Sequence, residues 1–220
     1  MTKCFFVTGT DTEVGKTVVS LALLQKFAEA GQRVAGYKPV AKGSRMTEHG
    51  PRNQDALLLQ AHSSAEWTYA QINPVTLVED EISLNRDTCI DHQALQSGLV
   101  TLAEQSDCVI VEGSGGWRTL LNDGKPLSDW AIAQQLPVIL VVGIKPGCVS
   151  HALLTAETVI ADGLKLAGWV ANRINPGLPH YAEIIHALQE KIPAPLLGEL
   201  PYLPRAAERD LRGYIDISAL

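Results

Sequence analysis

The chain has 220 residues, a length that suits one large domain better than two small ones. Its 46% hydrophobic and 19% charged residues are ordinary for a soluble globular protein. The net charge of −6 speaks against a general nucleic-acid-binding or acidic-membrane-binding protein, since both functions use a basic surface.

The sequence gives no indication of a targeting leader or of a membrane span. Its first residues run straight into a predicted strand, without the long apolar region of a signal peptide. The longest apolar stretch, Leu136 to Ile144, contains Pro137 and Gly143 and is far shorter than a bilayer-spanning helix. The four cysteines are widely spaced and form no C-x-x-C pair, which favours a reducing compartment. We therefore expect a cytoplasmic protein with no membrane or nucleic-acid partner.

Strand and helix patterns alternate along the chain. In chain order the prediction is a strand at Cys4–Thr8, a helix at about Lys16–Ala30, a strand at Arg33–Tyr37, a loop at Ala41–Asn53, a helix at Gln54–His62, an irregular segment at Trp67–Glu81, a helix at Asp91–Glu104, a strand at Asp107–Val111, a helix at Ser128–Gln135, a strand at Val138–Val142, a helix at about Ser150–Ala161, a strand at Leu166–Asn172, a helix around His180–Lys191 and a strand at Leu196–Leu200.

The strand composition predicts how these elements are arranged. Strands such as Val138–Val142 are apolar at every position, which is typical of a parallel sheet covered by helices on both faces. Strand–helix alternation from end to end predicts a three-layer α/β fold of the P-loop NTPase type, with a mostly parallel central sheet. Residues 1–220 contain no linker, repeat or low-complexity segment, so we expect one domain.

The strongest local signal is the segment Gly9-Thr-Asp-Thr-Glu-Val-Gly-Lys16-Thr17, which follows a strand and opens a helix. Glycines let the backbone N–H groups wrap closely around phosphates. In such a loop Lys16 would reach the β- and γ-phosphates and the Thr17 hydroxyl would bind Mg²⁺. The alternative, a glycine-rich turn into an ordinary helix, fits the order of strand, loop, Gly-Lys-Thr and helix poorly.

Two further strands end in candidate site residues. Glu112 follows an apolar strand and precedes glycines, as does the carboxylate that meets Mg²⁺ in a Walker B element. Lys38 follows the second strand, at the edge of an open α/β sheet where ligands bind. Asp55 opens a helix, and its carboxylate is either a helix N-terminal charge or another Mg²⁺ ligand. A solvated Glu112 and a surface Lys38 are the alternatives.

Beyond the P-loop, the chain resembles the dethiobiotin synthetase family over essentially all of its residues. The matching segments are Phe6–Thr17, Ala35–Val40, Asn53-x-Asp55, Val111–Trp117, Pro137–Gly143, Gly147–Thr155, Gly168–Arg173 and Pro193–Pro201. The resemblance implies a homodimeric cyclo-ligase that uses ATP, Mg²⁺ and CO₂ to close the ureido ring of dethiobiotin on 7,8-diaminopelargonic acid. One amine would capture CO₂ as a carbamate, the γ-phosphate would pass to the carbamate, and the second amine would displace phosphate.

The resemblance also implies roles for individual residues. Lys38 and Lys16 would be catalytic, and Thr17, Asp55 and Glu112 would hold Mg²⁺. The nucleotide would contact the larger set Glu13, Val14, Gly15, Lys16, Thr17, Val18, Asp55, Glu112, Gly113, Ser114, Gly115, Asn172, Arg173, Pro201, Tyr202, Leu203 and Glu208. The substrate side would be Lys42 together with Gly147, Cys148, Val149 and Ser150, whose helix N-terminus would bind the substrate carboxylate from the partner subunit.

The departures from the family pattern lie on the substrate side. Lys42 stands where many members have serine, and Ser150 stands where many have asparagine. The stretch Glu79 to Asn85 lacks the usual Ser-Pro-His motif. The chain therefore resembles a divergent, second-copy branch of the family.

Three other functions are weighed against this prediction. The first is a related ligase that acts on a different diamine. The second is a regulatory ATPase of the deviant Walker class, which usually has a signature lysine five residues before the P-loop lysine, where this chain has Asp11. The third is an amidoligase of the cobyrinic-acid type, for which the chain contains no glutaminase Cys-His pattern.

Overall fold

The computed structural model describes residues 2–78 and 90–220. In chain order its elements are β1 (Lys3–Gly9), α1 (Lys16–Glu29), β2 (Val34–Tyr37), β3 (Val40–Ala41), β4 (Arg45–Thr47), β5 (Gly50–Arg52), α2 (Gln54–Ala61), α3 (Tyr69–Ile72), β6 (Val75–Thr76), α4 (His92–Gln105), β7 (Cys108–Gly116), α5 (Leu127–Ala133), β8 (Val138–Gly143), α6 (Cys148–Ala161), β9 (Leu166–Asn172), α7 (Tyr181–Lys191) and β10 (Leu196–Leu200). Short 3₁₀ turns follow at Ala206–Glu208 and Arg212–Tyr214.

A parallel sheet forms the centre of the molecule. Within the described residues its six strands run in the order β10-β9-β8-β1-β7-β2, and each neighbouring pair is parallel. The strands β8 and β9 are buried at every position, as expected for a sheet covered on both faces. The predicted α/β P-loop fold is confirmed.

The chain reverses its direction of travel across the sheet at β1. From β1 the chain crosses past β7 to β2, whereas after β7 it passes β1 to β8, β9 and β10. Because parallel crossovers are right-handed, α1 and α6 lie on opposite faces of the sheet. Ligands of open α/β sheets bind outside the carboxyl ends of the strands at such a reversal. The carboxyl ends of β1, β7 and β8 are therefore the expected site.

Several local predictions need correction. The strand predicted to stop at Val111 continues as β7 to Gly116, so Glu112 lies inside the strand and not at its end. The predicted loop Ala41–Asn53 contains the antiparallel pair β4–β5, and the predicted irregular segment from Trp67 contains α3 and β6. The strands β3 and β6 pair over two residues and β4 and β5 over three, which is too short for their sequences to show a clear periodicity.

Two expectations can be compared only with the residues that the structure describes. The stretch Glu79 to Asn85, where the family motif is missing, lies outside the described residues. Within residues 2–78 and 90–220 no helix is long and apolar enough to cross a bilayer.

Candidate functional site

The loop between β1 and α1 has the backbone that a phosphate cradle requires. Gly15 has a φ of 89° and Glu13 a φ of 56°, so the chain turns through left-handed conformations just before α1. A Cβ on Gly9 would lie 2.6 Å from Cγ2 of Val14, a distance that only glycine permits. Among the described residues, the N-terminus of α1 has no side-chain cap, which leaves its N–H groups free for an anion.

Residues of β8 and β9 form hydrogen bonds with the backbone of this loop. The Thr10 N–H donates to the carbonyl of Val141 at 3.0 Å, and Nδ2 of Asn172 donates to the carbonyl of Val14 at 2.8 Å. A Cβ on Gly15 would lie 2.0 Å from Nδ2 of Asn172, so glycine is required at this position for a second reason. Asn172, at the end of β9, therefore contacts the backbone of the P-loop directly.

The Lys16 ammonium points back onto its own loop. Its Nζ donates to the carbonyl oxygen of Asp11 at 3.1 Å, and the side chain is buried. Burial, with a further contribution from the nearby Lys38 ammonium, lowers the pKa of Lys16 to about 8. Lys16 is thus a buried cation bound to a neutral carbonyl oxygen. An incoming phosphate carries negative charge, so it is a stronger partner for the ammonium and can replace that oxygen.

A buried ion-pair cluster lies beside the P-loop. Lys38 follows β2, and its Nζ lies 2.7 Å from Oε1 of Glu112 and 3.3 Å from Oδ2 of Asp55. The Lys38 side chain is 4% exposed and that of Glu112 0%, so water does not screen this pair. Burial opposes the charge on Lys38, but the carboxylates of Glu112 and Asp55 outweigh it and raise the pKa of the ammonium. Lys38 is therefore a cation at every physiological pH.

The register of the sheet explains why these residues meet. Val7, two residues before the end of β1, pairs with Glu112 on β7, and Tyr37 at the end of β2 pairs with Val111. Lys38 and Glu112 are thereby adjacent at the carboxyl edge of neighbouring strands. Asp55 joins them from the first turn of α2, where the side chain of Asn53 accepts from the Ala56 N–H and caps the helix.

The oxygens around this cluster suit a magnesium ion. The Thr17 hydroxyl donates to Oε1 of Glu112 at 2.9 Å, and Asp55 is partly exposed next to them. The other carboxylate oxygen, Oε2 of Glu112, is buried without a hydrogen-bond partner in the described structure. In residues 2–78 and 90–220 no group of three His, Cys, Asp or Glu forms a ready-made metal cage. A site of two carboxylates and a hydroxyl fits Mg²⁺, which usually takes its remaining ligands from water and substrate phosphates.

The residues after Glu112 shape the wall of the site. The carbonyl of Gly113 accepts from Nζ of Lys38 at 3.1 Å, and the Ser114 hydroxyl donates to the carbonyl of Val40. Gly115 has a φ of 68°, and a Cβ there would lie 2.3 Å from Oγ1 of Thr119. This part of β7 therefore contributes backbone groups to the site, while the Ser114 hydroxyl is occupied by β3.

The residues expected on the base side of the nucleotide lie farther from the ion-pair cluster. The Arg173 guanidinium stacks 4.6 Å above the ring of Tyr181. The segment 201–203 follows β10, and the Tyr202 side chain in it is 53% exposed. Glu208 lies in the 3₁₀ turn after it, with an exposed carboxylate 3.9 Å from Arg205. In the described structure the contacts of Arg173, Tyr202 and Glu208 lie within this region, which forms a flank of the site separate from the P-loop.

The residues expected on the substrate side lie on two further segments. Nζ of Lys42 donates to the carbonyl of Leu120 at 2.6 Å, and the carbonyl of Lys42 accepts from Nδ2 of Asn53 at 2.9 Å. Gly147 has a φ of 83° and starts α6 at Cys148 without a side-chain cap among the described residues. Lys42 thus links the α2 N-terminus to the segment after β7, and the N-terminus of α6 has no side-chain cap within the described part of the chain.

Comparison with known proteins now identifies the family. A family model described as "AAA domain" matches residues 3–209. The chain is 60% identical to ATP-dependent dethiobiotin synthetase BioD 2 of Salmonella typhimurium over 220 residues, which are 100% of this chain and 95% of that protein. It is 59% identical to the same protein of Escherichia coli (strain K12), again over 100% and 95%. The chain belongs to the dethiobiotin synthetase family.

More distant relatives agree with this assignment. ATP-dependent dethiobiotin synthetase BioD of Vibrio parahaemolyticus is 50% identical over 100% of this chain and 98% of that protein. The expectation of an ATP-dependent dethiobiotin synthetase, close to the second-copy branch of the family, is confirmed. The alternatives of a switch ATPase and of an amidoligase have no support among these relatives.

Solved structures confirm the fold alone. The septum site-determining protein MinD of Pyrococcus horikoshii, in complex with Mg-ADP, superposes with a TM-score of 0.61 at 18% identity, over 100% of this chain and 89% of that one. MinD of Aquifex aeolicus superposes with a TM-score of 0.59 at 14% identity, over 97% and 88%. At such identities the likeness concerns the arrangement of strands and helices and not the reaction.

Sequence reasoning missed one polar contact at this candidate site. Nζ of Lys145, just after β8, lies 2.7 Å from Oδ2 of Asp11 in the P-loop. Asp11 and Thr10 also line a cavity of about 370 Å³ with Gly116 and the side chains of α6. Lys145 follows an apolar strand in the sequence, as Lys38 does, so the rule that ligands bind at the carboxyl ends of strands would also have indicated Lys145.

Proposed function

We propose that this chain, acting as one domain over residues 1–220, inserts CO₂ between the two amines of 7,8-diaminopelargonic acid to form dethiobiotin. One amine attacks CO₂, loses a proton and becomes a carbamate. A carbamate oxygen then attacks the γ-phosphorus of ATP, and ADP leaves. The second amine attacks the carbonyl carbon of the mixed anhydride, the C–O bond to phosphate breaks, and the ring closes with loss of a proton.

The electrostatics of the site support the phosphoryl-transfer step. A carbamate is a poor electrophile, and phosphorylation gives its carbon a leaving group. Negative charge accumulates where the carbamate meets the γ-phosphate, so buried cations at that point lower the barrier. We assign this role to Lys16 and Lys38, which are both buried at the carboxyl edge of the sheet. Lys38 would neutralise the carbamate oxygens, and Lys16 the transferring phosphoryl group.

Magnesium is the metal that the oxygen donors fit. Thr17, Asp55 and Glu112 would hold it, and the unpartnered Oε2 of Glu112 is the observation that favours a further ligand there. When bound, Mg²⁺ supplies positive charge to the phosphate oxygens. In the structure Lys38 pairs with both carboxylates, so one ammonium balances one of the two negative charges and the cluster keeps a net negative charge that favours a cation.

The nucleotide would lie along the edge of the sheet from the P-loop toward β10. Residues Glu13, Val14, Gly15 and Val18 would surround the phosphates with Lys16 and Thr17, and Gly113, Ser114 and Gly115 would line the γ-phosphate side. Asn172, Arg173, Pro201, Tyr202, Leu203 and Glu208 would contact adenine and ribose. The exposed ring of Tyr202 and the exposed carboxylate of Glu208 are available for these contacts.

The diamine would be bound between two subunits. We assign its carboxylate to the N-terminus of α6, at Gly147, Cys148, Val149 and Ser150 of a partner subunit, because a helix N-terminus without a side-chain cap attracts anions. Lys42 would border the same substrate from its own subunit. The exposed Leu154 of α6, with 60% of its surface in contact with solvent, supports a homodimer contact on this helix.

The observation that carries this proposal is the ion-pair cluster of buried Lys38, buried Glu112 and partly exposed Asp55, next to Lys16 and Thr17. The experiment that tests it measures ADP release with ATP and Mg²⁺, with and without the diamine and bicarbonate. A ligase releases ADP only when both are present, and dethiobiotin appears in equal amount. ADP release that is independent of the diamine would contradict the proposal, and ring closure on another diamine only would identify a different substrate. A crystal with the diamine and an ATP analogue would show whether Lys42 touches the substrate.

A further inference from the structure

The ion pair between Asp11 and Lys145 joins the two loops to which the proposed function assigns different substrates. Asp11 lies in the loop that would bind the ATP phosphates, and Lys145 in the turn between β8 and α6, which would bind the diamine carboxylate. Their charged atoms are 2.7 Å apart, and the two residues are 134 positions apart in the chain. No role was assigned to either residue from the sequence.

Asp11 accepts a hydrogen bond at each of its three oxygens. Oδ1 accepts from the Thr12 N–H at 2.8 Å, Oδ2 accepts from Lys145, and the main-chain carbonyl accepts from Nζ of Lys16 at 3.1 Å. The Lys145 ammonium and the Thr12 N–H lower the pKa of the Asp11 carboxyl, so it is ionised at neutral pH. The orientation of the Asp11 peptide therefore determines both the turn of the P-loop and the place where Lys16 rests.

Lys145 is equally constrained at its main chain. Its carbonyl accepts from the Cys148 N–H at 3.1 Å, at the first residue of α6. The preceding residue, Ile144, donates its N–H to the carbonyl of Asn172 at 2.8 Å, and Asn172 supports the P-loop through Val14. Lys145 thus extends from a turn whose position is set by the sheet, and only its side chain crosses to Asp11.

We propose that Lys145 is a positioning residue of the proposed ligase: its ammonium, bound to the Asp11 carboxylate, holds the P-loop turn in the orientation that directs Lys16 to the transferring phosphate. The inference deepens the proposed function and depends on it for the meaning of Lys16. The pair is partly exposed, with 32% of the Lys145 side chain and 43% of Asp11 accessible, so it contributes little to global stability. Its effect is on geometry, and misplacement of a phosphate-binding group by about 1 Å can cost up to roughly a hundredfold in rate.

The test compares Lys145→Met, Asp11→Asn and the double variant with the whole protein, under saturating Mg-ATP, bicarbonate and diamine. We expect each single variant to lower kcat by about tenfold, with thermal midpoints close to the wild type. The double variant should lose no more than the worse single one, because both changes break one interaction. Lys145→Arg keeps the cation and should recover most of the rate. Lys165→Met, an exposed lysine at the opposite edge of the sheet, is the matched control and should behave as wild type.

A second measurement does not depend on turnover. Hydrogen exchange of the amides in residues 11–16 should be faster in Lys145→Met than in wild type, and unchanged in Lys165→Met. Wild-type kcat in Lys145→Met, or losses in the two single variants that multiply in the double one, would overturn the proposal. Multiplying losses would mean that Lys145 acts on the substrate directly. If the wild type forms no dethiobiotin, the proposed function fails, while the exchange measurement still decides whether the pair orders the P-loop.

Discussion

Removal of the Lys38 ammonium tests the energetic role of the buried cluster. In Lys38→Met the carboxylate of Glu112, which is 0% exposed, loses its nearest cation. Breaking a buried ion pair from one side costs about 3–5 kcal/mol, because the other charge is left uncompensated. A domain of this size loses roughly 2–4 °C of thermal midpoint per kcal/mol, so we expect a fall of roughly 6–20 °C. Because the free energy of unfolding of a domain is about 5–15 kcal/mol, we expect the variant to remain folded at low temperature.

A double variant removes the unpaired charge of Glu112 as well. In Lys38→Met/Glu112→Gln the buried group is neutral, and the Thr17 hydroxyl can still donate to the amide oxygen. We expect the double variant to regain most of the lost stability, to within about 1–2 kcal/mol of wild type, since an unpaired amide costs less than an unpaired charge. Urea unfolding at constant m-value measures both differences. A double variant as unstable as the single one would refute the assignment of the loss to the bare Glu112 charge.

The direction of the Lys38 pKa determines the pH range of this effect. Because folding raises the pKa above its ordinary value of 10.5, the stabilisation is fully present below that pH and is lost only as pH rises through the higher folded value. The stabilisation that the Lys38 charge gives the wild type should therefore be constant from about pH 6 to pH 9. Turnover gives an independent readout. Both variants should lose at least about a hundredfold in kcat, the usual scale for a positioned charge donor, whereas nucleotide binding should largely persist. Unchanged turnover would remove Lys38 from the mechanism.

Three further predictions concern other parts of the molecule. The pKa of Lys16 is lowered to about 8, and only the protonated form attracts phosphate. Calorimetry should therefore show the Mg-ATP affinity falling by about tenfold from pH 8.5 to pH 9.5, with proton uptake on binding. Lys16→Met should lack this pH dependence. Asp162→Ala removes the acceptor of the Trp117 indole N–H at 2.7 Å and should cost about 1–3 kcal/mol in urea unfolding, whereas Asp162→Asn should cost less. Gly143→Ala places a Cβ 2.8 Å from Cγ1 of Val14 and should weaken Mg-ATP binding measurably, whereas Gly177→Ala, with its nearest neighbour at 3.7 Å, should bind as wild type.

The sequence alone predicted the main elements and the edge of the sheet that carries the site. The P-loop segment was recognisable because its glycines, Lys16 and Thr17 are consecutive, and a local backbone conformation depends on neighbouring residues. Lys38 was predicted as a site residue because it directly follows an apolar strand. The short pairs β3–β6 and β4–β5 were missed, because two or three residues per strand are too few to show an alternating pattern.

Contacts between distant segments were decided by the tertiary structure. Lys38 and Glu112 are 74 residues apart, and Asp11 and Lys145 are 134 apart. A sequence shows that each follows or precedes a strand, but the order of the strands in the sheet determines which of them become neighbours. That order results from the packing of helices on both faces of the sheet and from right-handed crossovers. Both depend on contacts along the whole chain and not on a short segment of it. The sequence thus determined which chemical groups this protein has at the edge of its sheet. The fold determined that a buried lysine pairs with two carboxylates there, because only packed strands bring Lys38 and Glu112 together out of water.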